Sequence, residues 1–142
     1  MSTEWAIPQQ LLTDASLPAG PAPNPPTVPD PSPGTPVTSG TQDWERVMSQ
    51  HALQLTTADF AGFGSINVVL MGSLDGTNWY TILTANPNDL TGGDPPTATD
   101  GTFMVVATGM PARYVQIVAT AYSFSSSVAS GTVVAAIVTA RE

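Results

Sequence analysis

Between Ser65 and Leu83 apolar residues recur at every second position on either side of an Asp-Gly pair. An α-helix places neighbours on one face every three or four residues, so this period belongs to two strands folded back on a turn. Ile66, Val68 and Leu70 form one inward row, and Trp79, Thr81 and Leu83 form the other. Asp75-Gly76 supplies the turn: glycine takes a positive φ without steric penalty, and the aspartate carboxylate can accept a hydrogen bond from an N–H two residues on. Asn78 can act in the same way. Trp79 and Tyr80 are adjacent and must point to opposite faces, so they cannot form one flat stacking platform. The parity with Leu83 places Trp79 inward and leaves Tyr80 as the surface aromatic.

Strand-like segments continue along the chain. Asp43 to Ser49, Ala52 to Thr56, Thr102 to Thr108, Arg113 to Tyr122 and Thr132 to Ala140 read as strands. Gly109-Met110-Pro111 reads as a turn, Ser123 to Gly131 as a serine-rich link, and Thr84 to Gly101 as a long loop. About seven or eight antiparallel strands with no helical period predict an all-β protein, a β-sandwich of jelly-roll-like form. In Val133 to Val138 no polar side chain interrupts the run, so burial is expected on both faces of that strand.

Ten of the fourteen prolines lie within the first forty residues. Proline fixes φ and lacks the N–H, so Pro18 to Pro36 can be neither helix nor central strand and should be extended and polyproline-like. The predicted division is an extended arm over residues 1–40 and a sandwich domain over 41–142. On the arm, Trp5, Ile7, Leu11, Leu12 and Leu17 are the residues able to anchor it on a partner.

Charge narrows the function. Arg46, Arg113 and Arg141 are the only full cations against eleven acidic residues, giving a net charge of −8. A surface that neutralises phosphates needs clustered Lys or Arg, so nucleic acid and anionic membranes are disfavoured as partners. Without cysteine, disulfides, thiol catalysis and thiolate zinc sites are excluded. Met1 to Leu12 carries Glu4 and no positive start, which does not read as a secretory signal, and no apolar run approaches a membrane span of about 20 residues. His51 is the only histidine, and no Gly-x-Ser-x-Gly elbow accompanies it, so no enzyme is expected. Asp75, Asn78, Asp89, Asp94 and Asp100 supply hard oxygens, but their spacing matches no calcium loop; neither metal nor cofactor is expected. Arg113 should pair with a loop aspartate or stack on an aromatic.

Ser73-Leu74-Asp75-Gly76-Thr77-Asn78-Trp79-Tyr80, followed by Ala112-Arg113-Tyr114-Val115-Gln116-Ile117, resembles a hairpin of small β-sandwich proteins in tailed bacteriophages, the capsid decoration proteins. The pattern is also similar to discoidin-like carbohydrate-binding modules, and it covers about residues 43 to 140. The resemblance implies a structural protein on the outer capsid surface of a virion, contacting the major capsid protein, as a homo-oligomer with a trimer favoured. It further implies an arm that ties neighbouring subunits together. The alternative it implies is a carbohydrate-binding module of a phage tail or adhesin.

Overall fold

The computed structural model describes residues 4–17, 32–33, 35–61, 64–85, 88–89, 97–98, 101–123 and 130–142. Among the described residues ten strands run in order: β1 (Gln9–Leu17), β2 (Ser32–Pro33), β3 (Val37–Thr38), β4 (Gln42–Ala61), β5 (Gly64–Ser73), β6 (Tyr80–Ala85), β7 (Asn88–Asp89), β8 (Thr97–Ala98), β9 (Gly101–Ser123) and β10 (Ser130–Arg141). Eight of them join one antiparallel sheet in the order β1-β10-β4-β9-β5-β6, with β2 and β3 also on β9, and β7 pairs with β8. The protein is an all-β sandwich.

Two long strands make the sheet fold over on itself. The first half of β9 lies along the second half of β4, from Thr57↔Gly101 to Gln50↔Thr108, whereas its second half pairs with β5, from Ser73↔Tyr114 to Gly64↔Ser123. The corner falls at the same level in both strands: the β4–β9 register slips between Asp43 and Gln50, where Glu45 adopts φ 66°, and Gly109 adopts φ 74°. Each expected break, at Gln50 and at Gly109 to Pro111, is therefore a bend within a continuous strand. Trp44, Met48 and Ala112 fill the inside of the corner. The Trp44 indole N–H is buried there without an acceptor among the described residues, a local cost of about 1–3 kcal/mol.

The core sits between the two halves. Leu53, Leu55, Val133 and Val138 line one half, and Ile66, Val68, Leu70, Val115 and Ile117 line the other, all at most 2% exposed. Burying side chains of this size is worth about 1.5–3 kcal/mol each.

The boundary expected at residue 41 moves. β1 pairs with β10 through Gln9↔Val138 to Leu17↔Gly131, and Leu12 and Leu17 are part of the core. Val37↔Ala119 and the Ser39 N–H donating to the Ile117 carbonyl (2.8 Å) bring residues 37–39 onto the other half. The reason is that β1 is free of proline between Pro8 and Pro18, so its N–H groups can complete a ladder. Most of the proline-rich stretch, 18–31, lies outside the described residues, as do the side chains of Asp89, Asp94 and Asp100.

The face assigned to Trp79 is also corrected. The β5–β6 register slips between Leu70↔Leu83 and Met71↔Thr81, so Ile82 is an extra residue. Ile82 and Leu83 are both buried, Thr81 is exposed, and the parity before the bulge is inverted. Tyr80, not Trp79, packs against the core, and its hydroxyl donates to the Pro111 carbonyl. Trp79 is half-buried. Ile82 reaches over Gly72, where a Cβ would stand 2.5 Å from its Cδ1 and 2.9 Å from the Ala112 Cβ.

Candidate interaction surface

The segment before β1 is pinned to the sheet. The Ala6 N–H donates to the Ala140 carbonyl (2.8 Å), and the Thr139 hydroxyl donates to the Ala6 carbonyl (2.6 Å). Ala6 turns to the core, and the extended backbone turns its two neighbours away from it. Trp5 is 40% exposed and Ile7 80% exposed. The Arg141 guanidinium lies 4.8 Å from the Trp5 ring centre and donates to the Gln50 side chain (2.7 Å), so one face of the indole is held. Beside it opens a cleft of about 210 Å³ lined by Glu4, Trp5, Ile7, Arg46, Met48 and Glu142, with Arg46 bridged to Glu142 at 2.8 Å.

The five residues read as anchors therefore separate. Trp5 and Ile7 face solvent together, Leu11 is half-buried against the core, and Leu12 and Leu17 are inside it. Sequence reasoning missed the bulge between Gln10 and Leu12 in the β1–β10 pairing, which lets Leu11 and Leu12 both turn toward the core.

A second exposed apolar group lies on the first half of β9, where Met104 is 64% and Val106 53% exposed. They stand opposite Gln54 and Ala52 of β4, on the outer face of the sheet. Sequence reasoning took this segment only as a strand, without assigning its faces. Its uncharged alternation, Thr102-Phe103-Met104-Val105-Val106-Ala107-Thr108, carried the signal of an apolar outer row as well.

The polar candidates have local roles. Asp75 Oδ1 accepts from the Thr77 and Asn78 N–H groups (2.8 Å each) and from the Ser73 hydroxyl (2.9 Å), and Oδ2 accepts from the Asn78 amide (2.8 Å). These donors hold its carboxyl far below the usual carboxylate range and occupy the lone pairs a cation would need. Gly76, at φ 78°, closes the turn against the Tyr114 ring. Among the described residues no three His, Asp or Glu side chains gather as a metal site.

His51 is 1% exposed, and its Nε2–H donates to the Met110 carbonyl (2.9 Å), tying β4 to β9 at the corner. Desolvation pushes its pKa below the ordinary histidine value, against the smaller opposing pull of backbone hydrogen bonds. Arg113 does both things expected of it, forking onto Asp43 at 2.9 and 3.0 Å and lying 5.0 Å from the Tyr114 ring centre, although Asp43 belongs to a strand. The Arg113 bond is what chiefly holds the Asp43 carboxyl below its usual range.

No family model matches the chain, and no match was found among curated proteins. Solved structures do match. A structure of infectious bursal disease virus, Gt strain, is 10% identical with a TM-score of 0.57, covering 99% of this chain and 32% of that chain. The VP2 subviral particle of the same virus is 14% identical with a TM-score of 0.52, covering 99% and 33%. A CBM32 module from a family 31 glycoside hydrolase of Clostridium perfringens is 12% identical with a TM-score of 0.43, covering 86% and 90%. The likeness to the virus structures is one of fold, a β-sandwich, and this chain spans about a third of the length of those proteins.

Proposed function

We propose that this chain is a structural protein of a bacteriophage particle, seated on the outer capsid surface and gripping the major capsid protein. The observation that carries the reading is the pinned segment before β1, which presents Trp5 and Ile7 to solvent beside a cleft. Exposed tryptophan is the residue type most enriched at the energetic centre of protein interfaces. The scarcity of cations fits a partner met through apolar contact, and the likeness of fold to virus structures supports a virion-associated protein.

Co-sedimentation with purified capsids tests it. Occupancy should stay nearly constant from about 0.1 M to about 1 M sodium chloride, over which the Debye length falls from about 10 Å to about 3 Å. The pair Trp5→Ser with Ile7→Ser should abolish binding while the isolated protein keeps its melting temperature. Release by salt with the double variant still bound would refute it.

A second reading, a carbohydrate-binding module of a phage tail or adhesin, draws on one observation: the cleft sets the free side of Trp5 next to Glu4, Arg46 and Glu142, an aromatic ring among polar groups. Glycan binding by the isolated protein, lost in Trp5→Ser, would favour this reading over the first.

A further inference from the structure

We infer that the open edge of β9, Gly101 to Gly109, pairs antiparallel with the same edge of a second copy, joining two sheets across a two-fold axis through Val105. Gln50 to Thr57 of β4 occupy one side of this segment, and among the described residues no strand occupies the other, because β5 meets β9 only from Tyr114 onward. Such an edge presents a row of unpaired N–H and C=O groups. Protein edges are ordinarily blunted, and β1 at the far side of the sheet is: it begins after Pro8, carries exposed Asp14 at φ 46°, and is bulged at Leu11. The β9 edge has none of these devices. From Gly101 to Gly109 there is no charge and no proline, and Met104 and Val106 stand out from it.

A second copy of this chain is the occupant that the segment fits. Continuity of the two sheet faces requires that outward residues meet outward residues, which restricts the register to even offsets. With Val105 opposite Val105 of the second copy, Thr102 meets Thr108 and Met104 meets Val106 on the outer face. On the inner face Phe103 meets Ala107, large against small. Gly101 meets Gly109. Every residue thus meets one of like polarity, and the two-fold axis repeats each such pair, the self-complementarity that an isologous contact needs. Electrostatics point the same way: two copies that each carry −8 can approach along this uncharged segment without setting like charges opposite one another. A single strand pairing falls below the roughly 1,200 Å² of a standard stable interface, so the dimer should depend on concentration in free solution and be reinforced where many copies are held side by side.

Sedimentation velocity over a concentration series tests it, with hydrogen exchange on the unaltered chain. Dimers should appear as concentration rises, with added protection confined to amides 101–109. The double variant Met104→Lys with Val106→Lys sets lysine opposite lysine twice and should weaken association by about a hundredfold or more. Met104→Glu with Val106→Glu should do the same, and mixing the two variants should restore a heterodimer that high salt dissociates. Both altered side chains are exposed, so each variant should keep the parent melting temperature. If either fails to fold, the exchange pattern of the unaltered chain decides. A chain monomeric up to near-millimolar concentration, a trimer, or association unmoved by the charged variants would overturn the inference.

Discussion

Replacing Leu17 with alanine probes the placement of β1. Leu17 closes the strand at 3% exposure, opposite Gly131, and belongs to the same core as Leu12. The substitution removes three carbons, worth about 0.8 kcal/mol each, or about 2.4 kcal/mol of transfer free energy. A cavity adds to this, but an outermost strand can partly collapse into the space, so the total should fall in the lower half of the 2–5 kcal/mol range typical of buried leucine, about 2.5–3.5 kcal/mol. Urea unfolding followed by tryptophan fluorescence measures it. With a slope of about 2 kcal/mol per molar, the midpoint should drop by roughly 1.5 M. Ile7→Ala, at 80% exposure, is the internal control and should stay within about 0.5 kcal/mol of the parent. If Leu17→Ala also stays within that band, β1 is not a core strand, and a boundary at residue 41 would stand after all.

Gly72→Val should destabilise by about 1–3 kcal/mol or more, because its Cβ meets Ile82 and the fully buried Ala112 well inside contact distance; adding Ile82→Ala should recover part of the lost melting temperature, and no recovery would mean that the close approach is not the cause. His51 should make stability depend on pH: its folded pKa lies below the unfolded value of about 6.5, so the unfolded chain binds the proton more readily. The contribution is complete above about pH 6.5 and is lost as pH falls toward the folded pKa. Unfolding free energies at about pH 7.5 and about pH 5 should differ less in His51→Asn than in the parent, and equal differences would refute it.

Local chemistry was legible in the sequence, and slips of register were not. Asp75-Gly76 announced its turn because the determinants, a carboxylate acceptor and a residue tolerant of positive φ, lie within four residues of one another. Ile66, Val68 and Leu70 alternate as written because nothing interrupts β5. Trp79 was misassigned because one extra residue at Ile82 inverts every face before it, and a bulge leaves no trace in composition. Gly109 and Pro111 looked like a chain reversal, yet the same residues serve a strand that bends and continues. Leu12 and Leu17 were misread because proline density was averaged over forty residues, although the nine residues of β1 contain none. Among the exposed apolar residues, Trp5 and Ile7 are ones the sequence singled out and Met104 and Val106 are not, since exposure of an apolar strand is decided by which partners are present.

The pairing of β1 with β10 also bears on how the chain acquires its structure during synthesis. Gln9 emerges from the ribosome early, but its partner Val138 follows some 129 positions later, the separation between those two numbers. Contacts so distant in sequence form slowly, and nearer pairings must close first. At translation rates of about 5–20 residues per second, Leu12 and Leu17 would wait many seconds in water before a ladder exists to receive them. The nascent chain therefore passes through a long interval with its first strand unpaired, a substrate for chaperones or for aggregation, and commits to its final sheet only after residues 130–141 are free.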